Sequence, residues 1–169
     1  MLWGWMRFVE RRQLRAIGLF DISKILSGIL GGTAIVAVPM AIGWVFLSLF
    51  SEPEAQHDAV PNTASVGVIV ASVVYVLVRS YLLQGIPEEL IYRGWLFSTT
   101  AERPIFTVVW TTLAFTVPHL FSSGGQQSTT DFLLYLVLPL GMAVLAGAVV
   151  VWKKSVWWAA GTHGGMHAV

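Results

Sequence analysis

The stretch Ile25–Phe50 reads ILSGILGGTAIVAVPMAIGWVFLSLF and contains no charged residue. As a helix its 26 residues would be about 39 Å long, which is enough to cross a hydrocarbon core of about 30 Å with some tilt. We do not expect a signal peptide here, because the stretch starts late, is too long and follows a segment with charged residues along its length. The sequence therefore predicts a membrane-spanning helix over these residues.

The composition of the whole chain agrees with a membrane protein. Of its 169 residues, 56% are hydrophobic and only 11% are charged, whereas a typical soluble domain has about 25% charged residues. The net charge of +1 indicates no basic surface for nucleic acid, so we expect no nucleic-acid partner. The lack of cysteine in this chain excludes disulfides, thiolate metal sites and a cysteine nucleophile. Together these numbers predict a small polytopic membrane protein in contact with the lipid bilayer.

The remaining apolar stretches predict an all-α fold, a polytopic membrane helical bundle of about six helices. Pro87 is expected to start a short third helix, since proline is well tolerated at a first helical position. Arg103 is expected in a turn, because a residue before proline is pushed away from helical geometry. Polar residues predict loops over 51–62, with a solvated His57, and over 122–130. The predicted helices cover residues 25–50, 64–83, 87–100, 105–119, 132–152 and 156–169.

Two regions are predicted: a cytoplasmic, interfacial N-terminal segment over 1–24 and a single intramembrane domain over 25–169. Basic residues before the first span, and their absence from loop 51–62, predict a multi-pass cell-membrane protein with a cytoplasmic N-terminus. Strict alternation over six helices then puts Arg103 and the pair Lys153-Lys154 outside, against the positive-inside rule.

Small residues recur four positions apart along three of the predicted helices. In lipid such spacings let helix backbones approach closely. They predict a tightly packed bundle, and they are Gly28 with Gly32, Ala143 with Gly147, and Gly161 with Gly165.

Two acids and an arginine lie in residues 87–94, PEELIYRG. An ionisable group inside an apolar helix costs about 3 kcal/mol, which makes such residues candidates for function. Glu89 and Arg93 are four residues apart with the acid first, the favourable order for an ion pair within a helix. Glu88 lies about 100° away round the helix and would stay free to hold a proton or a water. A first helical turn would favour both carboxylates, and the alternative is that they only cap a helix at the interface.

Three histidines lie in the later helices. His119 follows Phe115 by four residues, so that this ring shares a helix face with the imidazole and can support it. His163 and His167 have the i, i+4 spacing used by helical metal sites. The alternatives are an interfacial structural His119 and two core imidazoles that bond backbone carbonyls.

The predicted topology brings these clusters together. Helices 87–100 and 105–119 would form an antiparallel hairpin, which places Glu88 and His119 at the same end. The pair Lys153-Lys154 would lie at the turn end of that hairpin, so the two later histidines approach the level of Glu88 from the other side. The sequence therefore predicts one functional site at a single depth.

The ordered motifs resemble the CAAX-protease and bacteriocin-processing family (CPBP, also called Abi). They are Glu-Glu-x-x-x-Arg at 88–93, Phe-x-x-x-His at 115–119 and His-x-x-x-(polar) at 163–167. The resemblance covers roughly residues 20–169 and implies an intramembrane peptidase domain. It implies as partner a membrane-tethered peptide or a prenylated protein, since the family includes enzymes that remove the last three residues of prenylated CAAX proteins.

The resemblance also implies roles for single residues. Glu88 would activate the attacking water, and His119 would assist it. His163 and His167 would bind water or stabilise the oxyanion, which imidazole N–H groups can do in a dry site. Glu89 and Arg93 would support the site.

Two departures from the family pattern concern the end of the chain. Position 167 is His where the family usually has Asn or Asp, and relatives usually continue with further membrane sequence, so we expect a bundle truncated at its C-terminus or a minimal member. Three histidines and a glutamate, namely Glu88, His119, His163 and His167, also make a catalytic Zn²⁺ site the alternative. Our first expectation is a mechanism that requires no cofactor.

Two functions compete with proteolysis. The family is linked to bacteriocin self-protection, so a bacteriocin immunity or membrane partner-binding protein without required proteolysis is the alternative. A proton-coupled carrier would also use intramembrane Glu and His, but the polar groups gather at one depth and no inverted repeat is present.

Overall fold

The computed structural model describes residues 2–50, 65–121 and 128–169. The predicted loop 51–62 with His57 lies outside the described residues, as do residues 122–127 of the predicted loop 122–130. The described part is almost wholly helical and contains no strand. Short helical turns over Leu2–Val9, Leu14–Ile17 and Ile22–Lys24 precede the long helices.

Five long helices follow, and four of them are long and apolar enough to cross a membrane. This arrangement confirms the predicted helical membrane bundle. The fifth helix, α5, is shorter, and its residues 159–165 are all buried among the others. The helices are α1 (Ile25–Phe50), α2 (Val66–Thr99), α3 (Pro104–Phe121), α4 (Thr129–Lys153) and α5 (Val156–Ala168).

The division of residues 64–100 into two helices is wrong. α2 runs without a break through Pro87, because the turns before this proline are π-helical over Val78–Gly85. There the Ile86 N–H bonds the Tyr81 carbonyl five residues back, and this wider register relieves the clash that proline makes with the carbonyl four residues back. A second π-helical stretch, Leu90–Leu96, follows the glutamate pair. Glu88 and Glu89 therefore lie inside a membrane helix, and the dipole support expected at a first helical turn does not apply to them.

Glycines bring α5 against α1, as the small-residue pattern predicts. A Cβ added at Gly28 would lie 2.7 Å from the Trp157 Cβ, and one added at Gly165 would lie 2.9 Å from the Thr33 Cα. A Cβ on Gly161 would collide with the carbonyl oxygens of Gly28 and Ile29. The Thr33 hydroxyl lies 2.6 Å from the Tyr81 hydroxyl and 3.2 Å from the Gly161 carbonyl oxygen, which links α1, α2 and α5. These contacts hold α5 at the centre of the bundle.

The N-terminal segment and the basic turns lie at one end of the molecule. Glu10 accepts a hydrogen bond from the Trp95 indole at 2.7 Å, and Arg12 donates one to the Ser98 hydroxyl at 2.9 Å. The bond from Trp95 above all lowers the pKa of Glu10, and a bond from Trp5 and the nearby charge of Arg12 act in the same direction. Because α2 is a single helix, its C-terminal end returns to the side of the N-terminus.

The expectation that Arg103 and Lys153-Lys154 fall on the opposite side from the N-terminus is therefore wrong. The prediction divides α2 into two spanning helices and therefore contains one membrane crossing too many before Arg103. In the structure Arg15, Ala101 and Lys154 line one cavity, so the N-terminal segment, the α2–α3 turn and the α4–α5 turn meet. The basic groups then share one face of the membrane, as the positive-inside rule requires.

We expect the substitution Gly161→Ala to destabilise the bundle. The new methyl group would meet two backbone carbonyls of α1, so the helices must separate, at a cost of about 1–3 kcal/mol. The measurement is the unfolding temperature of the purified protein in detergent. The matched control is Gly43→Ala in α1, where nothing lies within 4 Å of the added atom and the protein should be unchanged or slightly stabilised. Equal shifts in the two variants would contradict the close packing of α5 on α1.

Candidate active site

Glu89 is the centre of the polar core. Its side chain is 0% exposed, and its Oε1 accepts a hydrogen bond from Arg93 Nη1 at 3.0 Å. The same oxygen lies 2.8 Å from His163 Nδ1, across 74 residues of sequence. A carboxylate has no proton to give, so Nδ1 must be the donor and must carry the ring proton. The predicted Glu89–Arg93 pair is present, and His163 of α5 joins it.

Arg93 connects this pair to two more helices. Its side chain is fully buried, and its Nη2 donates to the Ala143 carbonyl of α4 at 2.9 Å. The guanidinium carbon also lies 4.8 Å from the centre of the Phe115 ring in α3, within the range of a cation–π contact. Arg93 therefore contacts α3 and α4 from its position in α2.

Glu88 has a different environment from its neighbour. Its side chain is 34% exposed, and its Oε2 lies 3.9 Å from His163 Nε2. This distance exceeds a hydrogen bond, and Glu88 makes no hydrogen bond to another described side chain. The two acids thus differ as the sequence predicts: Glu89 is paired and buried, whereas Glu88 remains accessible to a water.

His119 is held by its own helix. Its Nδ1 lies 2.9 Å from the Phe115 carbonyl oxygen, so Nδ1 is the protonated nitrogen, because a carbonyl only accepts. The ring centres of Phe115 and His119 are 4.9 Å apart, which confirms the predicted shared face. The Phe115 ring also meets the His163 ring edge to face at 5.7 Å, and so it lies between the two imidazoles.

His163 and His167 also share a helix face, with ring centres 5.1 Å apart. Both line a cavity of about 430 Å³ together with His119. Most other groups in this wall are apolar, among them Met40, Leu138 and Met142. The structure therefore brings the three predicted histidines to one mainly apolar cavity, and Glu88 faces His163.

The alternative zinc site would need Glu88, His119, His163 and His167 to converge on one metal ion. Among residues 2–50, 65–121 and 128–169, no three His, Asp or Glu side chains are grouped closely enough to hold a metal ion. The mechanism without a cofactor and the alternative with Zn²⁺ both stay predictions.

Several groups at the site carry no signal in the sequence. Gln84 and Tyr135 line the cavity, and the Tyr135 ring lies 6.4 Å from that of His119. The Ala143 carbonyl is a backbone group that any residue would supply. A tyrosine within a predicted span is also typical of the membrane interface, so the sequence does not mark Tyr135 as a cavity residue.

Comparison with known families finds a match over more than half of the chain. The family described as type II CAAX prenyl endopeptidase, Rce1-like, matches residues 70–169. No curated protein and no solved structure shows a significant match. The matched range contains every candidate site residue, from Glu88 to His167, while the N-terminal segment and α1 lie before it.

We expect the two glutamates to differ sharply in their effect on stability. Glu89→Gln leaves the buried Arg93 without its counter-ion, which should cost about 3–5 kcal/mol of unfolding free energy. Glu88→Gln changes an accessible side chain without a hydrogen bond to a described side chain and should cost less than about 1 kcal/mol. Thermal unfolding of both variants in the same detergent measures the difference. Similar losses would show that Glu89 is not the buried anchor.

Proposed function

Since the chain belongs to the Rce1-like family of type II CAAX prenyl endopeptidases, we propose that it hydrolyses a peptide bond near the C-terminus of a membrane-tethered substrate. The observation that carries this proposal is the pairing of an accessible carboxylate with a fixed imidazole. Glu88 Oε2 lies 3.9 Å from His163 Nε2, and that imidazole lines an apolar cavity within the membrane helices.

In the proposed mechanism Glu88 is the general base. It takes a proton from a water as the water oxygen attacks the scissile carbonyl carbon, and it later gives that proton to the leaving amine. His119, which lines the cavity together with His163, assists it. The products are a shortened chain with a new carboxyl end and a short peptide with a free amine, so atoms and protons balance.

Glu89 and Arg93 act as positioning residues for His163. His163 Nδ1 donates its proton in a hydrogen bond to Glu89, and this bond turns Nε2 toward Glu88. The attacking water can then be held between His163 Nε2 and the Glu88 carboxylate. His163 is assigned to bind this water, because with its proton on Nδ1 its Nε2 can only accept a hydrogen bond. His167, whose ring lies beside that of His163, is assigned to bind the water or to face the oxyanion that develops on the carbonyl. Burial of His163 and Glu89 strengthens the bond between these two residues, because competing water is excluded from them.

The cavity supports a substrate with an apolar anchor. Its wall is formed largely by methionine, leucine, proline and phenylalanine side chains, with the histidines as the main polar groups. A lipid-modified peptide would place its apolar chain against this wall and its backbone beside the imidazoles. A prenylated C-terminal peptide is therefore the proposed substrate class.

We expect Glu88→Gln and His119→Ala each to reduce cleavage by at least a hundredfold, because general-base catalysis contributes about 10²–10⁴. The assay is cleavage of a prenylated and an unprenylated C-terminal peptide by protein reconstituted in membranes, read by mass spectrometry. The matched control is Glu102→Gln, which removes an exposed acid in the α2–α3 turn and should leave cleavage unchanged.

Two results of this assay would contradict the proposal. Full activity in Glu88→Gln would contradict the assignment of Glu88 as the general base. Equal cleavage of the two peptides would contradict the proposal that the cavity binds the prenyl group. We also propose that no metal takes part, so a strong chelator should leave the wild-type rate unchanged. Loss of activity on chelation and its return with Zn²⁺ would overturn that part alone.

We propose that the basic end of the molecule faces the cytoplasm. The chain has no cysteine, so single cysteines can be labelled without background. In intact cells a membrane-impermeant maleimide should label Thr130→Cys, at the opposite end, but should label Arg103→Cys only after permeabilisation. The reverse pattern would place the N-terminus outside.

A further inference from the structure

Arg79 is a charged residue inside the membrane-spanning part of the bundle. It lies in α2, two residues before Tyr81, whose hydroxyl lies 2.6 Å from the Thr33 hydroxyl of α1. Thr33 follows the first residue of the charge-free helix Ile25–Phe50 by eight residues, which is about 12 Å along that helix. Because α2 runs toward the basic end of the molecule, Arg79 lies farther from that membrane face than Tyr81 does. Arg79 is therefore placed within the membrane span and not at the level of the lipid headgroups.

The positive charge of Arg79 has no counter-ion in the described part of the chain. The side chain is exposed, and no ion pair or hydrogen bond joins it to another described residue. A cation within a membrane span is costly, and such residues almost always pair with another group or mark the path of a substrate or ion. Arginines at the membrane surface do not carry this cost, so Arg79 differs from those of the N-terminal segment and the turns.

Arg79 lies beside the cavity of the proposed active site. Gln84 lines that cavity, and it follows Arg79 by five residues, about one turn of the π-helical stretch that contains both. The charge of Arg79 also acts on His167, another residue of the cavity wall. The other side chains that act electrostatically on His167 are His119 and His163, and no described acid is among them. This side of the cavity therefore lacks a negative charge to balance Arg79, which suits a ligand that brings one.

The separation of Arg79 from Glu88 indicates which anion could reach it. Nine residues of α2 separate the two, which is at most about 13 Å along the helix. An extended peptide of three or four residues spans about 10–14 Å. A substrate whose scissile carbonyl lies beside Glu88 would therefore bring the carboxylate of its last residue to Arg79 when about three residues follow the cut bond. A lipid phosphate lies at the membrane surface and does not reach this depth.

We propose that Arg79 binds the C-terminal carboxylate of the substrate and so selects a peptide bond a few residues from the end of a chain. This inference rests on the proposed function, because it names the substrate group that is recognised beside the proposed active site. A guanidinium can bind a carboxylate through two parallel N–H···O bonds, a geometry that the ammonium of lysine does not offer. Arg79 takes no proton in the reaction, so it is a specificity residue and not a catalytic residue.

The test compares two forms of one prenylated peptide, with a free C-terminal carboxyl group and with a C-terminal amide, as substrates of the full chain reconstituted in membranes. For the wild type we expect kcat/KM to be at least about tenfold higher for the acid, because hydrogen bonds to charged groups have about this effect. Arg79→Gln should remove the preference, and Arg79→Lys should keep part of it. The matched control Arg103→Gln removes an exposed charge from the α2–α3 turn and should keep the wild-type preference. Each preference compares two substrates of one preparation, so a lower yield of folded protein does not change it.

Cleavage of both peptides at equal rates by the wild type, or an unchanged preference in Arg79→Gln, would overturn the role of Arg79 and leave the proposed function standing. Cleavage of neither peptide would count against the proposed function, and the role of Arg79 is then decided by binding. Fluorescence anisotropy of the two labelled peptides measures this binding to Glu88→Gln, which keeps the peptides intact. The acid should bind at least about tenfold more tightly than the amide, and Arg79→Gln added to this variant should abolish the difference. Equal binding of the two peptides to Glu88→Gln would overturn the role of Arg79.

Discussion

One carboxylate oxygen, Oε1 of Glu89, organises the interior of this protein. It accepts hydrogen bonds from Arg93 and His163, so a buried cation and an imidazole from two different helices meet at one atom. A charge in an apolar interior is tolerated only when it is paired and hydrogen-bonded. Because Arg93 also reaches the Ala143 carbonyl and the Phe115 ring, this requirement fixes α2, α3, α4 and α5 relative to one another. The orientation of His163, and with it the approach to Glu88, depends on the same atom.

Local patterns in the sequence predict much of this interior. The i, i+4 rule finds the Glu89–Arg93 pair and the shared faces of Phe115 with His119 and of His163 with His167. The charge-free stretch 25–50 predicts α1, and the glycine spacings predict close helix packing, which the structure shows between α1 and α5. Each of these properties depends on residues within about one helical turn of each other, which is the range over which a helix repeats.

The errors come from features that local patterns do not contain. Pro87 is a common first residue of a helix, but here the wide backbone register before it allows α2 to continue, and that register depends on neighbours in space. Because the prediction divides α2 into two helices, it places every later turn on the wrong side of the membrane. The basic residues in those turns would then violate the positive-inside rule. The contact of Glu89 with His163 spans 74 residues, and the docking of Glu10 on Trp95 spans 85, so neither follows from spacing.

The two π-helical stretches of α2 enclose the glutamate pair, Val78–Gly85 before it and Leu90–Leu96 after it. A π-turn contains one residue more than an α-turn, and π-bulges are frequent at functional sites. Conversion of either stretch to α-helical form would rotate one half of the helix against the other by about 100° and slide it by about 1.5 Å. The direction in which Glu88 and Glu89 point is therefore set by the winding of the backbone on both sides of them, and a single inserted or deleted residue in either stretch would turn the carboxylates away from the histidines.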